Sequence, residues 1–248
     1  MFRHNLLLIF ILSLFAGCKT WHDTAFQTKL YPIEDTIQPA SAIDSLIFPY
    51  KKQLDTKMNT IIGQSAMVME KGKPESLLGN WFADVMYEKA KERFNDSLDF
   101  AFQNFGGIRI PSLPKGNINI GKIYELMPFE NYLVVIELDS ATVQSLCDMI
   151  AARNGAPVSR HIRFGIANKK AVDIQINGAP LRNNRTYKVV LNNYIANGGD
   201  KCDFLKDKKR TELDILLRDA IIEYIKEKTA AGKQIQSKLN NRIYFVEE

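Results

Sequence analysis

Four short segments combine polar, charged or aromatic side chains with glycines that let the backbone come close to a ligand: Glu75-Ser-Leu-Leu-Gly79-Asn80, Asn104-Phe-Gly106-Gly107-Ile-Arg109, Met127-Pro128-Phe129-Glu130-Asn131 and Asn193-Tyr194-Ile-Ala-Asn-Gly198-Gly199-Asp200. Each taken alone has an ordinary structural reading. Glycine pairs serve turns, Phe129 can cap a core, Tyr194 can be a core aromatic with a satisfied hydroxyl, and Arg109 with Asp200 can form an ion pair. Metal chemistry is limited by the inventory of three histidines, His4, His22 and His161. Only His161 falls in the body of the chain, without flanking ligands, so it reads as a surface histidine. No G-x-S-x-G nucleophile turn and no G-x-x-x-x-G-K-[ST] phosphate loop occurs. Cys147 and Cys202 lack a C-x-x-C partner and read as quiet thiols, with a single bridge between them left open.

These segments need elements to position them. Residues 76–94 show an apolar face of Leu77, Leu78, Trp81, Phe82, Val85, Met86 and Ala90, the spacing of a helix. A second amphipathic helix is predicted over 211–228, with Leu213, Leu216, Leu217, Ile221 and Ile225 inward. A third is expected over 141–152 with Ser140 as its N-cap, and a short one over 121–126. Residues 42–57 have near-helical spacing interrupted by Pro49. Strands are predicted at 60–69, 98–105, 131–139, 162–167, 172–177, 186–191 and 242–246, with a short alternating run at 117–120 and a hairpin joining 162–167 to 172–177. Helices and strands mix without strict alternation, so the fold class is α+β, mixed sheets with flanking helices, in one domain over 42–248.

Taken together and in order, the four segments resemble the C-terminal, substrate-binding domain of the 5′-nucleotidase and UDP-sugar hydrolase family over about 60–245. The pattern E-x-x-x-G-N-x-x-A-D is met by Glu75, Gly79, Asn80, Ala83 and Asp84. N-x-G-G-I-R is met by Asn104, Gly106, Gly107, Ile108 and Arg109. P-F-x-N is met by Pro128, Phe129 and Asn131, and N-[FY]-x-A-x-G-G-D by Asn193, Tyr194, Ala196, Gly198, Gly199 and Asp200. The resemblance implies that Phe129 and Tyr194 sandwich a base, that Asp200 accepts from ribose hydroxyls, and that Asn104 and Arg109 face the substrate. Stacking of a base on aromatic rings is worth ~1–3 kcal/mol, and a carboxylate accepts two hydroxyl donors readily. Members often carry an arginine three residues before the motif's Glu, where it helps hold phosphate. Here that position is Gly72, between Lys71 and Lys73, either of which could serve as a point charge.

In that family two metal ions in a separate N-terminal domain carry out hydrolysis, using D-x-H and G-N-H-[DE] motifs that do not occur in this sequence. The expectation is therefore a nucleoside- or nucleotide-binding chain that holds no cofactor itself and works with a separate metallophosphatase subunit in nucleotide catabolism. Divalent metals belong to that partner. Two alternatives stay open: a self-sufficient phosphohydrolase using carboxylates such as Asp84 and Asp200, and a scaffold that has lost its ligand.

Composition sets the outer bounds. The chain has 248 residues, 46% hydrophobic and 25% charged, with a formal net charge of +5, which is ordinary globular composition and too diffuse a charge to argue for nucleic acid. Met1–Cys18 begins with Arg3 and His4, continues with the apolar run Leu6–Phe15, and ends Leu-Phe-Ala-Gly-Cys. An apolar run of about ten residues is too short to span a bilayer and suits a signal peptide. The ending resembles a bacterial lipobox, which makes 1–17 a lipoprotein signal peptide, Cys18 the lipidated residue and 18–41 a tether. The expected location is the bacterial cell envelope, lipid-anchored and facing the periplasm.

Overall fold

The computed structural model describes residues 29–32 and 40–246. The stretch expected to be a signal peptide, Cys18 and most of the expected tether lie outside them. The chain divides into two units, Met1–Ile47 and Phe48–Glu248. The helix that runs through the division, α1 (Ser41–Met58), is continuous through Pro49 and buries none of its residues.

The remaining elements are, in order, β1 (Ile61–Ser65), β2 (Met69–Glu70), α2 (Leu77–Lys91), β3 (Phe100–Ala101), β4 (Ser112–Leu113), β5 (Gly116–Asn119), α3 (Ile120–Leu126), β6 (Tyr132–Asp139), α4 (Ser140–Ala152), β7 (Ile162–Ala167), β8 (Lys170–Ile176), β9 (Ala179–Pro180), β10 (Thr186–Asn192), α5 (Asn193–Ala196), β11 (Arg210–Leu216), α6 (Leu217–Ala230) and β12 (Ile243–Phe245). The central sheet has the order β11-β6-β10-β3, antiparallel except where β10 meets β3. A second sheet, β12-β7-β8-β9, is mixed through the parallel β12–β7 pair. β1 with β5 and β2 with β4 form two-stranded antiparallel ribbons. This is an α+β fold with mixed sheets and flanking helices, as the mixed pattern implies.

The apolar run in β6 follows from its place between two cores. Leu133 and Val135 pack with residues of α2, α3 and α6, and Ile136 and Leu138 pack with α4, β7 and β8. On β10, Val190 faces the first core, and Tyr187, Val189 and Leu191 the second. A strand buried on both faces has no polar side to alternate with, so it reads as a continuous hydrophobic stretch.

Several expected elements differ in detail. The helix expected over 211–228 begins only at Leu217. Residues 210–216 form β11, whose Arg210, Thr211 and Glu212 pair with Ile136, Val135 and Val134. Leu213 and Ile215 are buried between exposed Glu212 and Asp214. The open edge of β6 thus imposes a period of two on a stretch whose leucines also fit a helix. The N-cap of α4 is Asp139, not Ser140: the Asp139 carboxylate accepts from Thr142 N at 2.7 Å. The strand expected over 60–69 divides into β1 and β2 because its halves find different partners. That over 98–105 keeps only Phe100–Ala101 before a 3-10 turn at Phe105–Gly107. The 162–176 hairpin forms as expected, turning through Asn168 and Lys169 at φ 48° and 60°.

Candidate functional site

The second, third and fourth segments meet at one opening. Asn104, Gly106, Gly107, Arg109, Phe129, Asn131, Tyr194 and Asp200 line a cavity of about 330 Å³, within the size range of small-ligand sites. All five residues singled out by the sequence (Asn104, Arg109, Phe129, Tyr194 and Asp200) are among them. Phe129 and Tyr194 keep 40% and 47% of their surface exposed, leaving ring area free for a flat ligand.

Asn104 is set from beneath by two fully buried amides. Its Oδ1 accepts from Gln103 Nε2 and Asn192 Nδ2, both at 3.1 Å, and Asn192 also donates to Gln103 Oε1 at 2.8 Å. With the oxygen satisfied, Asn104 Nδ2 is left to donate to Asp200 Oδ2 at 2.8 Å. Asn192 further caps α5, accepting from Ile195 N at 2.9 Å, so one side chain supports both the amide network and the helix that starts beside Tyr194. Asn193 joins the third segment to the fourth by accepting from Tyr132 N at 3.1 Å.

The glycines have separate reasons. Gly198 has φ 88°, a conformation that suits glycine. Gly199 lies against the Tyr194 ring, where a Cβ would come within 2.5 Å of ring carbons. Gly107 lies on Gln103, where a Cβ would meet Nε2 at 2.0 Å. These two positions are fixed by close approach rather than by φ.

Arg109 donates to Gly106 O at 3.2 Å and its guanidinium carbon lies 5.6 Å from the Phe129 ring centre. No Arg109–Asp200 ion pair forms. Arg109 lies instead near a cluster of cations behind the cavity wall, around Phe105 and the Asp200 carbonyl. Lys71 Nζ lies 4.0 Å and Lys73 Nζ 4.7 Å from the centre of the Phe105 ring. Lys71 donates to Ile108 O at 2.7 Å, Lys73 to Arg153 O at 2.5 Å, and Arg153 to the carbonyl of Asp200. Burial first, then the charges of Arg109 and Lys73, hold the Lys71 ammonium below its ordinary pKa. Burial and then Arg153 do the same for Lys73. Among the described residues none of these four cations pairs with a carboxylate.

The first segment does not line the cavity. It fastens residues 240–242. Glu75 accepts from Asn80 Nδ2 at 2.6 Å and from the amides of Asn240 and Asn241 at 3.0 and 2.9 Å. Asp84 takes a two-pronged bond from buried Arg242 at 2.9 and 2.7 Å, so its carboxylate is already committed to a partner. Among the described residues no group of three or more His, Cys, Asp or Glu is placed to hold a metal ion. His161 is half-buried rather than on the open surface. Its ring stacks on Tyr87 at 3.6 Å, with Nδ1 3.3 Å from Ser159 Oγ. Burial, aided by Arg160, lowers its pKa to about 4. Cys147 and Cys202 are free and buried; burial pushes the Cys202 thiol up to about 11 and Cys147 further up.

Gln103, Asn192 and Arg153 escaped the sequence reading. Gln103 and Asn192 stand just outside the recognisable motifs and Arg153 far from them in sequence, so none falls within a pattern that marks it. An open aromatic-walled cavity with an oriented carboxylate and an arginine at its wall is a candidate small-ligand site. A family model described as the 5′-nucleotidase, C-terminal domain matches residues 55–207, and the chain belongs to that family. It is similar to the trifunctional nucleotide phosphoesterase YfkN of Bacillus subtilis, 25% identical over 87% of this chain and 16% of that protein. It is also similar to a 5′-nucleotidase of Vibrio vulnificus, 27% identical over 68% of this chain and 31% of the relative. The crystal structure of a 5′-nucleotidase precursor from Thermus thermophilus matches with a TM-score of 0.71 and 29% identity, over 84% of this chain and 44% of that one. The chain thus corresponds to less than half the length of each.

Proposed function

We propose that this domain holds the nucleoside part of a nucleotide and presents its phosphate to a metal centre carried by a separate metallophosphatase subunit. The observation that carries the reading is the convergence of Phe129, Tyr194, Asn104, Arg109 and Asp200 on one cavity. In this reading the base stacks between the two rings, and Asp200 accepts from sugar hydroxyls. Arg109 and the Lys71, Lys73 and Arg153 cluster favour the negative phosphate end. Any divalent metals act in the partner, and no cofactor is assigned to this chain. The alternative of a carboxylate-only metal site is disfavoured by the engagement of Asp84 with Arg242 and of Asp200 with Asn104.

Cys18 is the proposed lipid attachment point, placing the domain on a bacterial membrane facing the periplasm. Among the described residues no helix is long and apolar enough to cross a membrane. Cys18→Ala should abolish incorporation of labelled fatty acid and release the chain from the membrane fraction.

The test of ligand function is calorimetry of the chain from Lys19 onward with adenosine, AMP and UDP-glucose, followed by a phosphate-release assay with manganese. The expected outcome is binding without release, with binding lost in Phe129→Ala/Tyr194→Ala. Manganese-dependent release abolished by chelator and by Asp200→Ala would make the chain an enzyme in its own right. Wild-type protein that binds none of the ligands would overturn the reading.

A further inference from the structure

Asp200 is engaged at each of its polar atoms by the protein. Its backbone, at φ 54° and ψ 36°, lies in the left-handed region, where a non-glycine residue needs support from its surroundings. The Asp200 amide donates to the Tyr194 hydroxyl at 3.2 Å, and that hydroxyl donates to Oδ1 at 3.2 Å. Asn104 donates to Oδ2, and Arg153 to the carbonyl. A phenol has one proton and two lone pairs, so both Tyr194 bonds can exist together. The Tyr194 ring rests on Gly199 with no room for a side chain between them. Ring and carboxylate therefore form one closed unit through residues 194–200.

This tie lies at an exposed ring, where a hydrogen bond competing with water adds little to stability. Its consequence is orientation. A carboxylate offers about four lone-pair positions; Asn104 and Tyr194 occupy two and leave the others with a set direction. A phenylalanine would supply the same stacking surface but leave Oδ1 untied.

Building on the nucleoside reading above, we propose that Tyr194 is a positioning residue. Its hydroxyl, as distinct from its ring, fixes the Asp200 carboxylate and so sets the discrimination between ligands with free sugar hydroxyls and ligands without them.

The experiment compares wild type with Tyr194→Phe against adenine, adenosine and 2′,3′-dideoxyadenosine by calorimetry, with equal melting temperatures as the folding control. Wild type should bind adenosine more tightly than the dideoxy compound. In Tyr194→Phe the affinities for adenine and dideoxyadenosine should stay within about twofold, and that for adenosine should fall about five- to tenfold, by loss of an oriented hydrogen bond. An equal loss for all three ligands, no loss for any, or a wild type blind to the hydroxyls would overturn the proposal. If wild type binds none of them, the nucleoside reading fails, and the tie is judged by the ¹³C signal of the Asp200 carboxylate. A changed signal in Tyr194→Phe upholds the tie; an unchanged one removes it.

Discussion

Asn104 could turn its amide either way in a cavity wall, and the direction decides whether it offers a donor or an acceptor to Asp200. Gln103 and Asn192 settle it by donating to the oxygen. Asn192→Leu should therefore weaken ligand binding although Asn192 does not line the cavity, and should also destabilise the fold by about 1–3 kcal/mol, the cost of leaving buried amides unpaired. Calorimetry and urea unfolding check the two effects. Phe129→Ala alone should lose about 1–3 kcal/mol of nucleoside affinity, measured by the same titration. His161 gives a pH dependence with a definite sign. Its ring is neutral when folded, with a pKa near 4 against about 6.5 in an unfolded chain. Its contribution to stability is complete above pH 6.5 and is lost as the pH falls toward 4, because the unfolded chain takes up the proton first. Arg160, Arg242 and Lys91 oppose protonation, and Asp84 favours it. Because the ring is half-buried, solvent screening reduces the effect to about 1 kcal/mol. His161→Gln should flatten the urea midpoint between pH 4.5 and 7.

At the scale of elements, the motifs that frame the cavity were legible because glycine, proline and aromatic residues are locally distinctive. The ordering of the four segments revealed more than any one of them. The role of the first segment was not legible. Its Glu75 stands out with the other segments, and Asp84 enters the site only as a carboxylate of the alternative enzyme reading; in the structure they bind residues 240–242, more than 150 positions away, and no local pattern records such a pairing. The β11 stretch failed for a related reason: Leu213, Leu216 and Leu217 satisfy a helical period until the edge of β6 is known. The Asp139 cap was misplaced by one residue because Ser140 is an equally good capping type and the competition is decided by backbone geometry. The clasp of α2 on residues 240–242 makes a stability prediction. Arg242→Met strands the buried part of the Asp84 and Glu75 carboxylates and should cost about 3 kcal/mol, read as a lower urea midpoint, with little change in nucleoside affinity per folded molecule.

For the whole molecule, a net charge of +5 gives no hint that four cations gather around Phe105 and Asp200 with no carboxylate partner among the described residues. Lys71→Gln/Lys73→Gln should leave adenosine affinity unchanged, lower AMP affinity several-fold and reduce the salt dependence of AMP binding, since exposed charges are screened over about 8 Å at physiological ionic strength. Equal effects on adenosine and AMP would place the lysines in support of the Phe105 turn instead. The joining of α2 to Arg242, and of β7 to the parallel strand β12, has a consequence for how the molecule is made. A ribosome that has synthesised both halves of the cavity has not yet delivered the guanidinium that neutralises Asp84 or the backbone amides that satisfy Glu75. Nascent chains arrested before Asn240 should remain protease-sensitive in the α2 region, and the closing of this clasp waits on the synthesis of residues 240–242.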